Sequence, residues 1–219
     1  MLIYFNTVCY LKQGAIPVPK IVDHEQKRKL IAESAWNIIE NKGIEHASIR
    51  AVAAAAGLSP GALRHYFSTQ DELLLFIVDY YLTRGVDRAA EGLEISRIPM
   101  KAAKEVLLAL LPMDTEKRTA TGVWWVFAIR SLTSATLQVK KDELTNGLHL
   151  LTKIVLDLLA SGELLPPSVD VELETLRLAA VVEGLAILAL LRPELYTPET
   201  IERIVTLHLR ELCRRNTDE

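Results

Sequence analysis

The sequence predicts an all-α fold, and three observations carry the prediction. Apolar residues recur at i, i+3, i+4 and i+7 along the long stretches, the spacing of one helix face. The breaks between those stretches carry helix punctuation, with Ser, Thr or Asp at the starts and Gly or Pro at the ends. No stretch reads convincingly as a strand, and no internal repeat is present.

The totals set the frame. A chain of 219 residues that is 50% hydrophobic can bury a sizeable core, as one large domain or two small ones. It has no long Gly/Ser/Pro tract, so bulk disorder is not expected. Two cysteines, Cys9 and Cys213, lie far apart and form no CxxC pair, which fits a reduced, cytoplasmic protein without disulfides or a zinc site. The net charge of -3 argues against coating nucleic acid wholesale, but the charge is unevenly spread. From Lys20 to Tyr66 there are seven Lys/Arg and five Asp/Glu; from Phe67 onward there are seventeen against twenty-three. The basic excess sits in the N-terminal quarter.

Residues 1–17 differ in character from the rest. Their apolar part is too short to span a bilayer, and no basic residue precedes it as in a signal peptide. The plain expectation is a tail over residues 1–19; the sharper alternative is that translation starts near Val18. Helix chemistry then begins, with Asp23 to Lys42 as a first helix whose apolar face holds Leu30, Ile31, Ala35, Ile38 and Ile39. Gly43 should end it in a left-handed cap. Ser48 is an N-cap for a second helix carrying Ile49, Val52, Ala53 and Ala56 on one side. Gly57 can turn the chain with positive φ, and Leu58 can plug the angle. Ser59 caps a third helix of about seven residues with Pro60 at its first position. Thr69-Gln-Asp-Glu72 reads as a capping box before an apolar run, so a long fourth helix is expected from Gln70 to Leu93.

Two short helices joined by a tight glycine turn have little core of their own and present the second helix outward, most often to the DNA major groove. With Ala62, Leu63 and Phe67 turned inward, Gly61, Arg64, His65 and Tyr66 remain outside. Arg64 can bond guanine bidentately, and His65 or Tyr66 can reach bases or phosphates. The plainer reading makes Tyr66 a core aromatic and His65 merely exposed. Ser48, Ser59, Pro60, Gly61 and Thr69 sit at helix starts, where backbone N–H groups can take phosphate, and Arg50 follows on the first turn. Lys27 and Arg28 stand near the start of the first helix, either as a solvated charged face or as phosphate contacts.

The C-terminal stretch continues the pattern. Pro99 and Pro112 bracket a helix over Lys101–Leu111, and Asp114 caps one carrying VWWVFAIR. A longer helix runs from Ser134 to Ser161 and stops at Gly162; Pro166-Pro167 breaks the chain. Asp170 opens a helix that is apolar from Leu178 to Leu191 except for Glu183, again too short a run for a membrane span. Thr197 caps the last helix, with Pro198 at its first position. A helix apolar nearly all round must be buried. Leu178, Val181, Gly184, Leu185 and Leu188, with Ile204, Leu209 and Leu212, are therefore expected at a homodimer interface, the alternative being an ordinary intramolecular core. Of the three clustered aromatics, only Trp124 and Phe127 share a helix face, as core or as a pocket wall. Tyr80, Arg130, His149 and Glu183 are the polar groups such a pocket could use. A charge in an apolar run, as at Glu183, costs energy unless it is paired.

The segment SIRAVAAAAGLSPGALRHYFSTQDELL resembles the DNA-binding region of the TetR/AcrR family of bacterial regulators. The shared pattern is a Ser/Thr-started helix, an A-G-L-S turn, a short helix ending in aromatics, and a new helix start at Thr69. Pro60, Ser68 and Gln70 stand where that family often has Lys, so a shallower salt dependence of DNA binding is expected. The end of the chain, VVEGLAILALLRPELYTPETIERIVTLHLREL, resembles the subgroup that includes the choline-responsive repressor of betaine synthesis. The resemblance implies a helix-turn-helix DNA-binding domain over 20–68 and a helical bundle over 69–219 for ligand binding and dimerisation. It also implies a homodimer on a palindromic, double-stranded operator, released by a small-molecule effector.

No HExxH, GxSxG, P-loop or GxGxxG occurs, and the histidines lack metal-ligand spacing. No catalytic residue, metal, cofactor or membrane partner is expected. The competing readings are a DNA-binding regulator without a small-molecule effector, controlled by a protein partner or acting as an activator, and a helical enzyme with a dispersed site.

Overall fold

The computed structural model describes residues 20–81 and 97–214, with side chains from Gln26 onward. The expected tail, Cys9, the start near Val18 and the continuation of the fourth helix to Leu93 lie outside the described residues. Among the described residues every regular element is a helix and no strand occurs. The helices are α1 (Lys20–Lys42), α2 (Ile49–Ala55), α3 (Pro60–Arg64), α4 (described over 70–81), α5 (Pro99–Ala109), α6 (Thr115–Ser131), α7 (Ala135–Ser161), α8 (Val171–Leu191) and α9 (Pro198–Arg214).

The starts follow the expected chemistry. Ser48 Oγ accepts from Ala51 N–H at 3.2 Å, Ser59 Oγ from Ala62 N–H at 3.0 Å, and Thr69 Oγ1 from Glu72 N–H at 3.1 Å. Asp114 and Asp170 cap α6 and α8 in the same way. Glu72 reaches back to the Ser68 N–H and hydroxyl, one residue earlier than a simple capping box. Those bonds, the Ser68 hydroxyl first, lower the Glu72 pKa.

The glycines play different parts. Gly57 has φ 68°, the left-handed turn foreseen. Gly43 ends α1, its N–H bonded to Ile39 O at 2.9 Å, but with φ 95° and ψ 158° it is not a left-handed helical cap and leads into a 3-10 turn, Ile44–His46. Gly162 has φ -87°, and Glu163 takes the positive φ of 55°. Gly162 answers to space: a Cβ there would lie 2.7 Å from Cγ of Pro99 at the start of α5.

Two core clusters organise the chain. The first gathers Ile31, Ala35 and Ile39 of α1, Val52 and Ala53 of α2, Leu63, Phe67, and Leu73, Leu74, Ile77 and Val78 of α4. It continues into Val123 and Phe127 of α6 and Leu137 of α7. The second packs α5, α7, α8 and α9 around Val106, Leu107, Val155, Leu156, Leu178 and Ile201. Helix α6 touches α1, α7 and α8, and so stands between the clusters.

α8 ends by an indirect device. The carbonyl of Ala189 would accept from residue 193, but Pro193 has no N–H. Arg118 of α6 fills the gap, donating to that carbonyl at 2.7 Å.

The expected interface residues separate into two groups. Leu178, Leu185, Leu209 and Leu212 are buried in the chain's own second core, because α8 and α9 turn them inward. Val181, Gly184 and Ile204 are half-buried, and Leu188 is exposed. The face of α8 that stays open is a stripe of Leu173, Leu176, Ala180, Gly184, Leu188 and Leu191, with Leu173, Leu176 and Leu191 at 61%, 54% and 65% exposure. A Cβ on Gly184 would meet nothing within 4 Å.

Candidate nucleic-acid interface and effector cavity

The DNA-facing candidates are set by helix ends. Arg64 is the last residue of α3 and exposed; His65 follows it, also exposed. Ser59, Pro60 and Gly61 are exposed at the start of the same helix, because Leu63 and Phe67 hold its other side in the core. Ser48, Arg50 and Thr69 are exposed as well. The starts of α2 and α4 are held side by side by Gln70, whose Nε2 donates to Ala47 O at 2.8 Å and whose Oε1 accepts from Ile49 N–H at 3.2 Å. Ser48 lies between those two contacts. This surface therefore combines an exposed guanidinium, an imidazole and adjacent helix starts, a combination suited to phosphates and base edges.

Three further candidate contacts are half-buried. Arg28 lies with its guanidinium over the Phe76 and Phe67 rings, 4.7 and 5.7 Å from their centroids, and is half-buried. Its charge is used on ring faces, a cation–π contact that steadies α1 against α4. Lys27 is half-buried, and so is Tyr66, which packs against the head core with its ring 6.4 Å from Phe67.

The other half holds a cavity of about 390 Å³ between α4, α6, α7 and α8. Trp124 and Glu183 line it, as the sequence suggested. Phe127 is buried in the first core beneath Trp124, with ring centroids 5.7 Å apart, and does not reach the cavity. Tyr80 packs in an aromatic cluster with Phe76 and Tyr81, and Tyr81 is the one that reaches the cavity. His149 lies off the wall on α7. Arg130 is bound to Asp71 of α4, away from the cavity.

The sequence reading missed the cavity's other charged groups. Asp79, Glu116, Glu143 and Glu183 stand on the wall against a single lining cation, Lys117. Glu183 betrayed itself as a charge within an apolar run. The others sit on amphipathic helices where charges are ordinary, so nothing marked them. Lys140 ties Asp79 of α4 to Glu143 of α7 at 3.0 and 2.5 Å, and the two carboxylates, Glu143 first, raise its pKa. Burial raises the Glu183 pKa, partly offset by the Trp124 indole N–H 3.5 Å away. Among the described residues no cluster of His, Cys, Asp and Glu could hold a metal, and no helix is long and apolar enough to cross a membrane.

Comparison with known proteins gives this arrangement a family. Residues 31–77 match the bacterial regulatory proteins of the tetR family, and residues 99–214 match the C-terminal region of BetI-type transcriptional repressors. The regulator PksA of Bacillus subtilis is 36% identical over 205 residues, covering 92% of this chain and 97% of that protein. A transcriptional regulator from Rhodococcus is 28% identical with a TM-score of 0.72, over 84% of this chain and 95% of that one. A regulator from Saccharomonospora viridis, solved in complex with choline, is 18% identical with a TM-score of 0.74, over 88% and 97% of the two chains. That likeness shows a shared fold. The chain is a DNA-binding transcriptional regulator of the repressor type, not an enzyme, and it belongs to the TetR family.

Proposed function

We propose that this chain is a cytoplasmic, homodimeric repressor that binds a palindromic operator and is released from it by a small organic cation. The observation that carries the effector class is Glu183: a half-buried carboxylate beside an indole, in a cavity whose remaining charged wall is mostly carboxylate. A buried charge without a cation is costly, and an aromatic face with a carboxylate suits an alkylammonium group. The choline bound by the S. viridis regulator is an effector-sized molecule of this kind. A ligand favouring the DNA-incompetent arrangement then shifts the population away from operator binding.

The test is a thermal-shift series with choline and other quaternary ammonium compounds against the neutral isostere 3,3-dimethylbutanol. The cations should raise Tm and the alcohol should not; equal response to both would overturn the cationic assignment. Cation binding needs Glu183 ionised, so affinity should fall as pH drops through its raised pKa. Glu183→Gln should lose roughly tenfold or more in cation affinity. The same variant bears on stability. Because the folded-state pKa is raised above 4.5, Glu183 stabilises the fold fully below that value and progressively less as pH rises through the raised one. Glu183→Gln should therefore keep a higher Tm than wild type at neutral pH in the absence of ligand.

The homodimer rests on the open stripe of α8. A second copy is the occupant that a leucine stripe interrupted by Ala180 and Gly184 suits, since small residues let helices approach closely. Leu188→Asp should give a folded monomer in sedimentation, whereas a persistent dimer would place the interface elsewhere. Leu209→Asp is unsuitable for this purpose, because Leu209 lies in the chain's own core.

A further inference from the structure

Two consecutive residues at the start of α4 reach into different halves of the molecule. Neighbours on a helix point about 100° apart. Gln70 turns toward the head and holds Ala47 O and Ile49 N–H, on either side of the Ser48 cap. Asp71 turns toward the regulatory half, where its Oδ1 accepts from the Arg130 guanidinium and its Oδ2 accepts from the Ser134 hydroxyl at 2.6 Å.

Each contact has a local peculiarity. Ile49 N–H is among the first donors of α2, which have no partner inside their own helix. A primary amide can receive that N–H and donate to Ala47 O at once; a lysine could only donate. Ser134 precedes α7 but makes no side-chain cap; its hydroxyl donates to Asp71 instead. Arg130 lies in the last turn of the helix whose middle, at Thr121 and Trp124, forms the cavity wall. The Asp71 side chain is 23% exposed, so its bonds are partly shielded from water.

We infer that Gln70 and Asp71 form a two-sided joint: Asp71 takes its position from the α6–α7 corner, and Gln70 passes that position to the start of α2. Both are then positioning residues for DNA binding, since neither needs to touch DNA to set where Ser48 and Arg50 stand. A shift of α6 by a cavity occupant reaches the head by this route; that last clause rests on the function proposed above.

The experiment reads the joint from its far side. Hydrogen exchange of the Ile49 amide is followed in the full chain, free of DNA, for wild type, Gln70→Ala, Asp71→Ala and the double variant Arg130→Gln/Ser134→Ala. The joint predicts roughly fivefold or faster exchange at Ile49 in all three variants, with core amides of α8 unchanged. Wild-type exchange at Ile49 in the Arg130→Gln/Ser134→Ala protein would overturn it, because a purely local role for Gln70 would not sense the α6–α7 corner. If Asp71→Ala melts at lower temperature, the Arg130→Gln/Ser134→Ala protein still reports on the same bonds. Operator affinity supplies a second reading: Gln70→Ala and Asp71→Ala should each lose about fivefold or more, and together hardly more than either alone. Additive losses would mean two unrelated contacts. A wild-type chain that binds no operator would remove the proposed function, while the exchange result would stand or fall separately.

Discussion

The N-terminal head and the C-terminal half are both helical, but they are built on different principles. The head is built from helix ends. Its helices α2 and α3 have seven and five residues, and Ser48, Ser59 and Thr69 each mark a start by accepting a backbone N–H. The C-terminal half is built from helix faces. α7 and α8 have twenty-seven and twenty-one residues, and most of what matters is which side meets which neighbour. Ends are local and faces are not, so the two halves should respond to mutation differently.

The largest effect should come where the halves merge. Phe127 is fully buried in the first core but stands on α6, which also forms the cavity wall. Phe127→Ala should cost about 3–5 kcal/mol, measured by chemical denaturation. One cooperative transition would show that the halves share a core; two separated transitions would show that the comparison is a true division. Next comes Arg64→Ala, which should cost roughly 1–3 kcal/mol in operator affinity if the guanidinium reads a base, with the fold unchanged. A uniform loss across operator variants would make it a phosphate contact instead. The smallest effect sharpens the idea of a head made of ends: Ser59→Ala should cost about 1 kcal/mol of stability, whereas Ser59→Gly should cost only a few tenths. Equal losses in the two variants would mean that Ser59 does more than cap.

The same contrast explains what could be read from the sequence. The caps, the Gly57 turn and the exposure of Arg64 and His65 follow from residues within a few positions of one another, and these features were visible. Arg28 escaped because its partners Phe67 and Phe76 lie 39 and 48 residues away in sequence, and nothing local marks a cation as stacked. Gly162 was legible as the stop of α7, but its fit in space against Pro99 was not. In α8 an apolar run pointed to burial without saying by what. Leu178 and Leu185 face the chain's own core, while Leu173 and Leu176, outside the run, are on the open face. Glu183 stood out from its neighbours alone, because a carboxylate in that run must find a partner or a polar space to offset its desolvation, and it lines the cavity.

The end of α8 has one more consequence. Its last turn lacks a donor because Pro193 follows, and the missing bond to Ala189 O is supplied by Arg118, seventy-one positions earlier. Alignment of this helix end is thus borrowed from α6 and not set by α8 alone. If the open stripe of α8 carries a second subunit, the two protomers are aligned through a helix that also lines the cavity. Occupancy in one subunit then has a mechanical path to its neighbour, and induction could be shared between the two heads of a dimer without any contact between them.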